Sequence, residues 1–439
     1  MKKELGIFLG LLLALTMVLA ACSSGNSGES ENGSGSSDNA EGSDNGDTTL
    51  EIFSWWTAGG EANALQALLD GFESANSDIK VENAAVAGGG GSNAKAVLAT
   101  RMQGEDPPST FQVHGGAELF QWLEADSMEP LDDLYEENGW TDIFPQKVID
   151  MNTTDGSVYG VPIDIHRGNV LFYNKQIFDE YGIEPPKTFE DFFAAADTLQ
   201  ENGVTPLALG DKDPFGSSSL FETVLLGVLG PEDYSKLWTG ELAFDSDGVR
   251  EAAETFKKML GYINDNHSSL AWQDADQLLV DGEAAMNVMG DWAEAYFVSK
   301  GWEPNKEFGW TATPGSQGSF MIVNDSFGLP KGVENPDDVK TFLTYLGSKE
   351  GQKAFNKLKG AIPARTDVDM SEFNEYSQSA MDDFKASDSD GTLTLSLANG
   401  SAASPGFLNK FNDAVNIFVT QQDVDQFINA LTKASSQIK

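Results

Sequence analysis

Short strand-like segments alternate with helical repeats along most of this chain, and that rhythm limits its fold more than any other feature. Leu50-Glu51-Ile52-Phe53-Ser54-Trp55 reads as a short strand running into a loop. Ala64, Leu65, Leu68, Leu69 and Phe72 then recur at helical spacing within 61–75. A second strand over 79–86, a loop at Gly88 to Gly91, a helix over 94–102 and a third strand over 109–113 continue the pattern. Further on come a strand at 170–173, helices at 188–201, 220–229 and 249–262, a strand crossing back over 319–329, and a helix over 336–358. Such alternation predicts an α/β protein whose mostly parallel sheet is covered on both faces. In open sheets of this kind ligands sit beyond the carboxyl ends of the strands, where Trp55, Trp56 and Gln112-Val113-His114 fall.

The amino terminus carries an address. Residues 1–21 begin with basic residues, continue as a short apolar run and end in small residues, the layout of a secretory signal too short to span a membrane. The only cysteine, Cys22, closes Leu19-Ala20-Ala21-Cys22, which resembles a bacterial lipobox, the signal for lipid attachment to the thiol and cleavage just before it. From there to residue 48 the chain has no large apolar side chain, so 22–48 reads as a flexible tether with a reach of about 25–30 Å. The expected location is extracytoplasmic, anchored to the membrane through Cys22.

With 69 Asp and Glu against 27 Lys and Arg, the formal charge is -42, which repels phosphate backbones and excludes nucleic acid as a partner. A surface so acidic suits a saline or alkaline setting, where counterions screen the self-repulsion. One cysteine and three histidines leave no disulfide framework, and no metal or cofactor is expected. Asp388-Ser389-Asp390-Gly391 looks like part of a calcium loop, but Ala386 and Leu397 would occupy its first and twelfth ligand positions, so it reads as a solvated turn. The run from Gly88 to Lys95 lacks the spacing of a phosphate loop, and Gly315-Ser316-Gln317-Gly318 is one residue away from a nucleophile elbow. No segment nominates a pair of catalytic carboxylates, so an enzyme is not expected.

The tryptophans say more. Trp55 and Trp56 are adjacent at a strand end, where both rings could flank an opening; Trp272 and Trp292 stand in polar company. Flat rings offer apolar faces to the C–H side of a pyranose, while neighbouring acids and amides bond its hydroxyls. Core packing is the competing use of each ring.

LEIFSWW (50–56), DPPSTFQVHGG (106–116), VPIDIHRGNVLFYN (161–174), AAMNVMGDWA (284–293), DSFGLPKG (325–332), GSKEGQKAFNKLKGAI (347–362) and YSQSAM (376–381) together resemble the extracellular solute-binding proteins of carbohydrate ABC importers, closest to the glucose/mannose-binding branch. The likeness covers nearly all of 49–439. It implies a two-lobed, periplasmic-binding-protein-like α/β fold with a hinged ligand cleft, lobe one holding 49–160 plus 326–365 and lobe two 161–325 plus 366–439. It also implies a monomer that binds a monosaccharide, with glucose ahead of mannose and galactose, and delivers it to ABC permease subunits.

Carried over by resemblance, Trp55 and Trp56 stack on the sugar and Glu61 accepts hydroxyl protons, although an acid in a first helical turn also suits the helix dipole. Gln112 and His114 match the polar pair after the third strand, Asp325 the aspartate at the lobe crossing, Lys359 the lysine before Gly360, and Trp272 and Trp292 the cleft tryptophans of lobe two. His166 and Arg167 lie beside the cleft segment. Where relatives carry histidine, Ser396-Leu397-Ala398-Asn399-Gly400 brings Asn399, which leaves the choice among epimeric sugars open. An oligosaccharide-binding protein of the same importer class is the nearest alternative; a glycoside-active enzyme and a polysaccharide adhesin are more distant ones.

Overall fold

The computed structural model describes residues 48–88 and 91–438. The signal segment, Cys22 and all of the tether except Thr48 lie outside the described residues. Thr48 already belongs to the first strand, Thr48–Phe53. None of the described helices is long and apolar enough to cross a membrane.

Three of the four sheets among the described residues organise the body. The largest orders its strands Ile79–Asn83, Thr48–Phe53, Thr110–His114, Asp325–Pro330 and Met128–Glu129, with Val161–Pro162 also paired to Asp325–Pro330. The second runs Thr205–Ala208, Ala284–Met289, Val170–Asn174, Phe308–Ala312, and the third Ile362–Pro363, Asp164–Arg167, Phe320–Val323, Leu393–Leu395. The sheets are mixed rather than mostly parallel. Thr48–Phe53 is parallel to both its neighbours, but Asp325–Pro330 enters antiparallel to Thr110–His114, and Val170–Asn174 is antiparallel to both of its own. The strand–helix rhythm sets the direction of locally connected strands; those arriving from remote segments are free to run either way.

Several elements differ from their sequence pattern. The strand expected over 319–329 is interrupted at Asn324: Phe320–Val323 lies in the third sheet and Asp325–Pro330 in the first. The Asn324 amide donates to the Asp164 carbonyl at 2.7 Å, and its oxygen accepts from Asn152 at 2.9 Å, which holds the crossing. The helix expected over 336–358 is two helices, Pro336–Leu346 and Lys349–Lys359, because the Ser348 hydroxyl accepts from the Gly351 amide and starts a new one. The buried segment 220–229 lies inside Phe215–Thr239, kinked at Gly230 before Pro231. Asp388 to Asp390 form the last turn of helix Glu375–Asp390 rather than a free turn, and Gly391 ends that helix in the left-handed region.

The third sheet draws its four strands from four separate stretches of the chain. Asp325, one residue before the expected lobe boundary, pairs with His114, and Pro162 with Ser326, so both join the first sheet.

Candidate functional site

Strand ends and helix starts converge on one cavity of about 390 Å³. Thr48–Phe53 delivers Trp55 and Trp56, and Thr110–His114 ends on His114. Helix Gly59–Ala75 places Glu61 in its first turn, and Trp272 and Trp292 each open a helix. Asp325 begins its strand, Lys359 ends its helix, His166 comes from the third sheet and Asn399 from the loop after Leu393–Leu395. Phe215 and Val323, which sequence reasoning missed, complete the wall. A wider outer chamber of about 1010 Å³ shares Trp55, Glu61, Phe215 and Trp272 with it.

The aromatic wall is held from behind. Trp56 is 1% exposed and packs on Phe355 and Phe327, yet its indole Nε1–H has no hydrogen-bond partner among the described residues. A buried donor left unpaired costs about 1–3 kcal/mol, which an acceptor in the cavity would remove. Trp55 is half-buried, with His114 tilted against it at 5.0 Å between ring centroids.

The polar wall is a chain of charge. Lys359 Nζ donates to Glu61 Oε1 and His166 Nε2, both at 2.9 Å, and is 1% exposed. Its helix can end against Asp291 to Ala295 only because Gly360, at φ 78°, has no side chain: a Cβ there would lie 2.7 Å from the Asp291 carbonyl oxygen. Asp325 Oδ1 accepts from Gln112 Nε2 at 2.7 Å and stands 3.5 Å from His114 Nε2. Burial works to raise the Asp325 carboxyl, but His114 and Lys359 outweigh it and hold the group below its usual range. Asp164 beside it goes the other way: burial, then the Asp325 charge, pushes it well above its usual range. Its Oδ1 accepts from the Asp325 amide at 3.0 Å, while Oδ2 has no partner among the described residues. Burial and next the Lys359 ammonium hold the His166 imidazole well below its ordinary value, so it is neutral.

Behind His114, Glu118 accepts from His114 Nδ1 at 2.9 Å and from Lys95 at 2.6 Å. Burial would raise Glu118; Lys95 and His114 bring it down to about 2. Behind Asn399, the buried Glu222 accepts from the amides of Leu397 at 2.8 Å and Ala398 at 2.7 Å, fixing the loop whose Ser396 hydroxyl takes the Asn399 side-chain amide at 2.9 Å.

Two expected residues stand apart from the cavity lining. Gln112 lies behind it, accepting from the Trp55 amide at 3.1 Å while donating to Asp325. Arg167 points away, because neighbours on a strand face opposite sides and His166 takes the cavity side. Its guanidinium donates to Asp383 at 2.5 Å and to the Ser319 carbonyl at 3.1 Å. Asp164, His166 and Asp325 offer donor atoms within 4.8 Å of one another, as a metal site would, but the Lys359 ammonium already supplies a cation at His166 Nε2.

Residues 58–353 match the model of the bacterial extracellular solute-binding protein family. The chain belongs to that family. An ABC transporter extracellular-binding protein of Pyrococcus horikoshii is 38% identical over 431 residues, 97% of this chain and 96% of its own. The xylose/arabinose-binding protein XacG of Haloferax volcanii is 28% identical over 397 residues, 89% of this chain and 85% of its own. Among solved structures, the bacterial solute receptor AcbH superposes with a TM-score of 0.78 at 21% identity, over 89% of this chain and 98% of that one. The α/β body therefore has the two-lobed fold of solute-binding proteins, which bind their ligands without chemical change, and the chain is not an enzyme.

Proposed function

We propose that this solute-binding protein captures one monosaccharide, glucose ahead of mannose and galactose, between two lobes built on 49–160 plus 326–365 and on 161–325 plus 366–439, with Val161, Pro162 and Asp325 siding with the first, and presents it to an ABC permease. The observation that carries this reading is the cavity's composition: aromatic faces and opposed hydrogen-bonding groups line one small space. Four tryptophans offer apolar faces, the carboxylates of Glu61 and Asp325 only accept, and the Lys359 ammonium only donates, so neighbouring hydroxyls are gripped from both sides. The name of XacG as a pentose-binding relative supports a sugar. Ligand contacts made by both lobes favour the closed form, and the closed protein docks on the permease as a monomer. A lipid on Cys22 and the tether keep it near the membrane and raise its effective concentration there.

Tryptophan fluorescence of residues 48–439, titrated with glucose, mannose, galactose and maltose in high salt, tests this. A saturable change with glucose that Trp56→Ala abolishes is expected. A response to maltose alone refutes the monosaccharide assignment and favours the second reading, an oligosaccharide whose further rings occupy the outer chamber beside Trp272 and Phe215.

A further inference from the structure

We propose that His166, backed by Asp291 and Tyr376, positions Lys359 and Trp292 for the ligand and does not itself bond to it; this rests on the sugar-binding reading above. His166 lines the cavity, yet both of its ring nitrogens are engaged. Nδ1 is bonded to Asp291 Oδ1, and Nε2 lies 2.9 Å from Lys359 Nζ. The carboxylate oxygens nearest Nε2, Asp164 Oδ2 at 3.5 Å and Asp325 Oδ2 at 3.8 Å, are farther off than an ordinary hydrogen bond.

The partners dictate the tautomer. An ammonium can only donate, so Nε2 carries the lone pair and the ring's single proton sits on Nδ1, where it is donated to Asp291. Asp291 is fixed in turn: its Oδ2 accepts from the Arg167 amide at 3.0 Å and from the Tyr376 hydroxyl at 3.1 Å. Tyr376, Asp291, His166 and Lys359 are each at most 1% exposed, so water does not replace any link.

Lys359 has three N–H bonds. One goes to His166 and one to Glu61, which leaves a single N–H for a ligand hydroxyl in a direction set by the other two. The imidazole also meets the Trp292 ring edge-on, at 5.4 Å between centroids and 77° between planes. One ring thus sets a donor for the sugar's polar edge and an aromatic face for its apolar side.

The test measures calorimetric affinities of the wild type, His166→Phe, Lys359→Met, the double variant and Tyr376→Phe for glucose and its single-deoxy analogues. The wild type should be penalised most at the hydroxyl that Lys359 reaches, and Lys359→Met should remove that selective penalty. His166→Phe should weaken glucose about tenfold and flatten the same deoxy position. Added to Lys359→Met it should cost less than about twofold more. Tyr376→Phe, outside the cavity, should shift the pattern in the same direction by less. Losses that multiply in the double variant, or an equal loss across all analogues in His166→Phe, overturn the inference. Should His166→Phe fail to fold, Tyr376→Phe and nitrogen NMR of the wild-type ring decide: a proton on Nε2 overturns the inference, and one on Nδ1 supports it. A wild type that binds none of these sugars fails the sugar reading and the inference with it. Multiplying losses with wild-type binding intact fail the inference alone.

Discussion

Glu118→Gln separates charge from packing behind His114. The Glu118 carboxyl ordinarily titrates at 4.5 and lies at about 2 in the folded protein, where Lys95 and His114 outweigh burial. That difference corresponds to about 3 kcal/mol of stability at neutral pH. Because the folded value is the lower one, the contribution is fully present above about pH 4.5 and is lost as the pH falls toward 2. Near pH 3 about 1 kcal/mol should remain, since the folded carboxyl is still mostly ionised while the unfolded one is protonated. The variant should therefore be about 3 kcal/mol less stable than the wild type at neutral pH, and only about 1 kcal/mol less stable near pH 3. Urea unfolding of the sugar-free protein at the two pH values, both proteins side by side, reads this directly. Glucose affinity should fall as well, because His114 loses the partner that orients it. A deficit of the same size at both pH values would refute the electrostatic account and assign the effect to packing. No deficit at neutral pH would refute any contribution of the buried pair.

Other perturbations follow from single contacts. Gly290→Ala sets a Cβ 2.2 Å from the Trp292 ring, an overlap that should cost about 1–3 kcal/mol in a thermal melt and displace the ring from the cavity, weakening glucose binding by calorimetry. Glu222→Gln leaves one carbonyl oxygen for the two amides of Leu397 and Ala398, so one faces an NH₂ group; a loss of about 1–3 kcal/mol is expected in urea unfolding, with weaker binding as Asn399 shifts. Replacing Cys22 by Ser should abolish incorporation of labelled fatty acid into the protein with sugar affinity unchanged, and labelling that persists would refute lipid attachment at Cys22.

Much of the site was legible locally. Trp55-Trp56 after an apolar strand, Glu61 in the first turn of an amphipathic helix, and His114 closing a third strand are consequences of near-neighbour periodicity, which any strand–helix unit of this composition repeats. Their convergence followed from the rule that such units open at the carboxyl ends of strands. Phe215 carried no such signal: it is one apolar residue among many until its helix start is brought to the cavity. Asp291, Tyr376, Glu222 and Glu118 were illegible for the same reason, since each acts through a partner whose place comes from another element.

The sequence by itself determined the α/β class, the strand ends that carry the tryptophans, and the strongly acidic charge, because these depend on composition and spacing of a few residues. Only the tertiary structure decided that Asp325–Pro330 enters its sheet antiparallel, that His166 turns inward while Arg167 turns out to Asp383, and that Lys359 meets Glu61 across 298 positions of chain. Register moves every side chain by a whole face, and a buried charge is tolerable only beside its partner, so both are settled by packing the entire body at once.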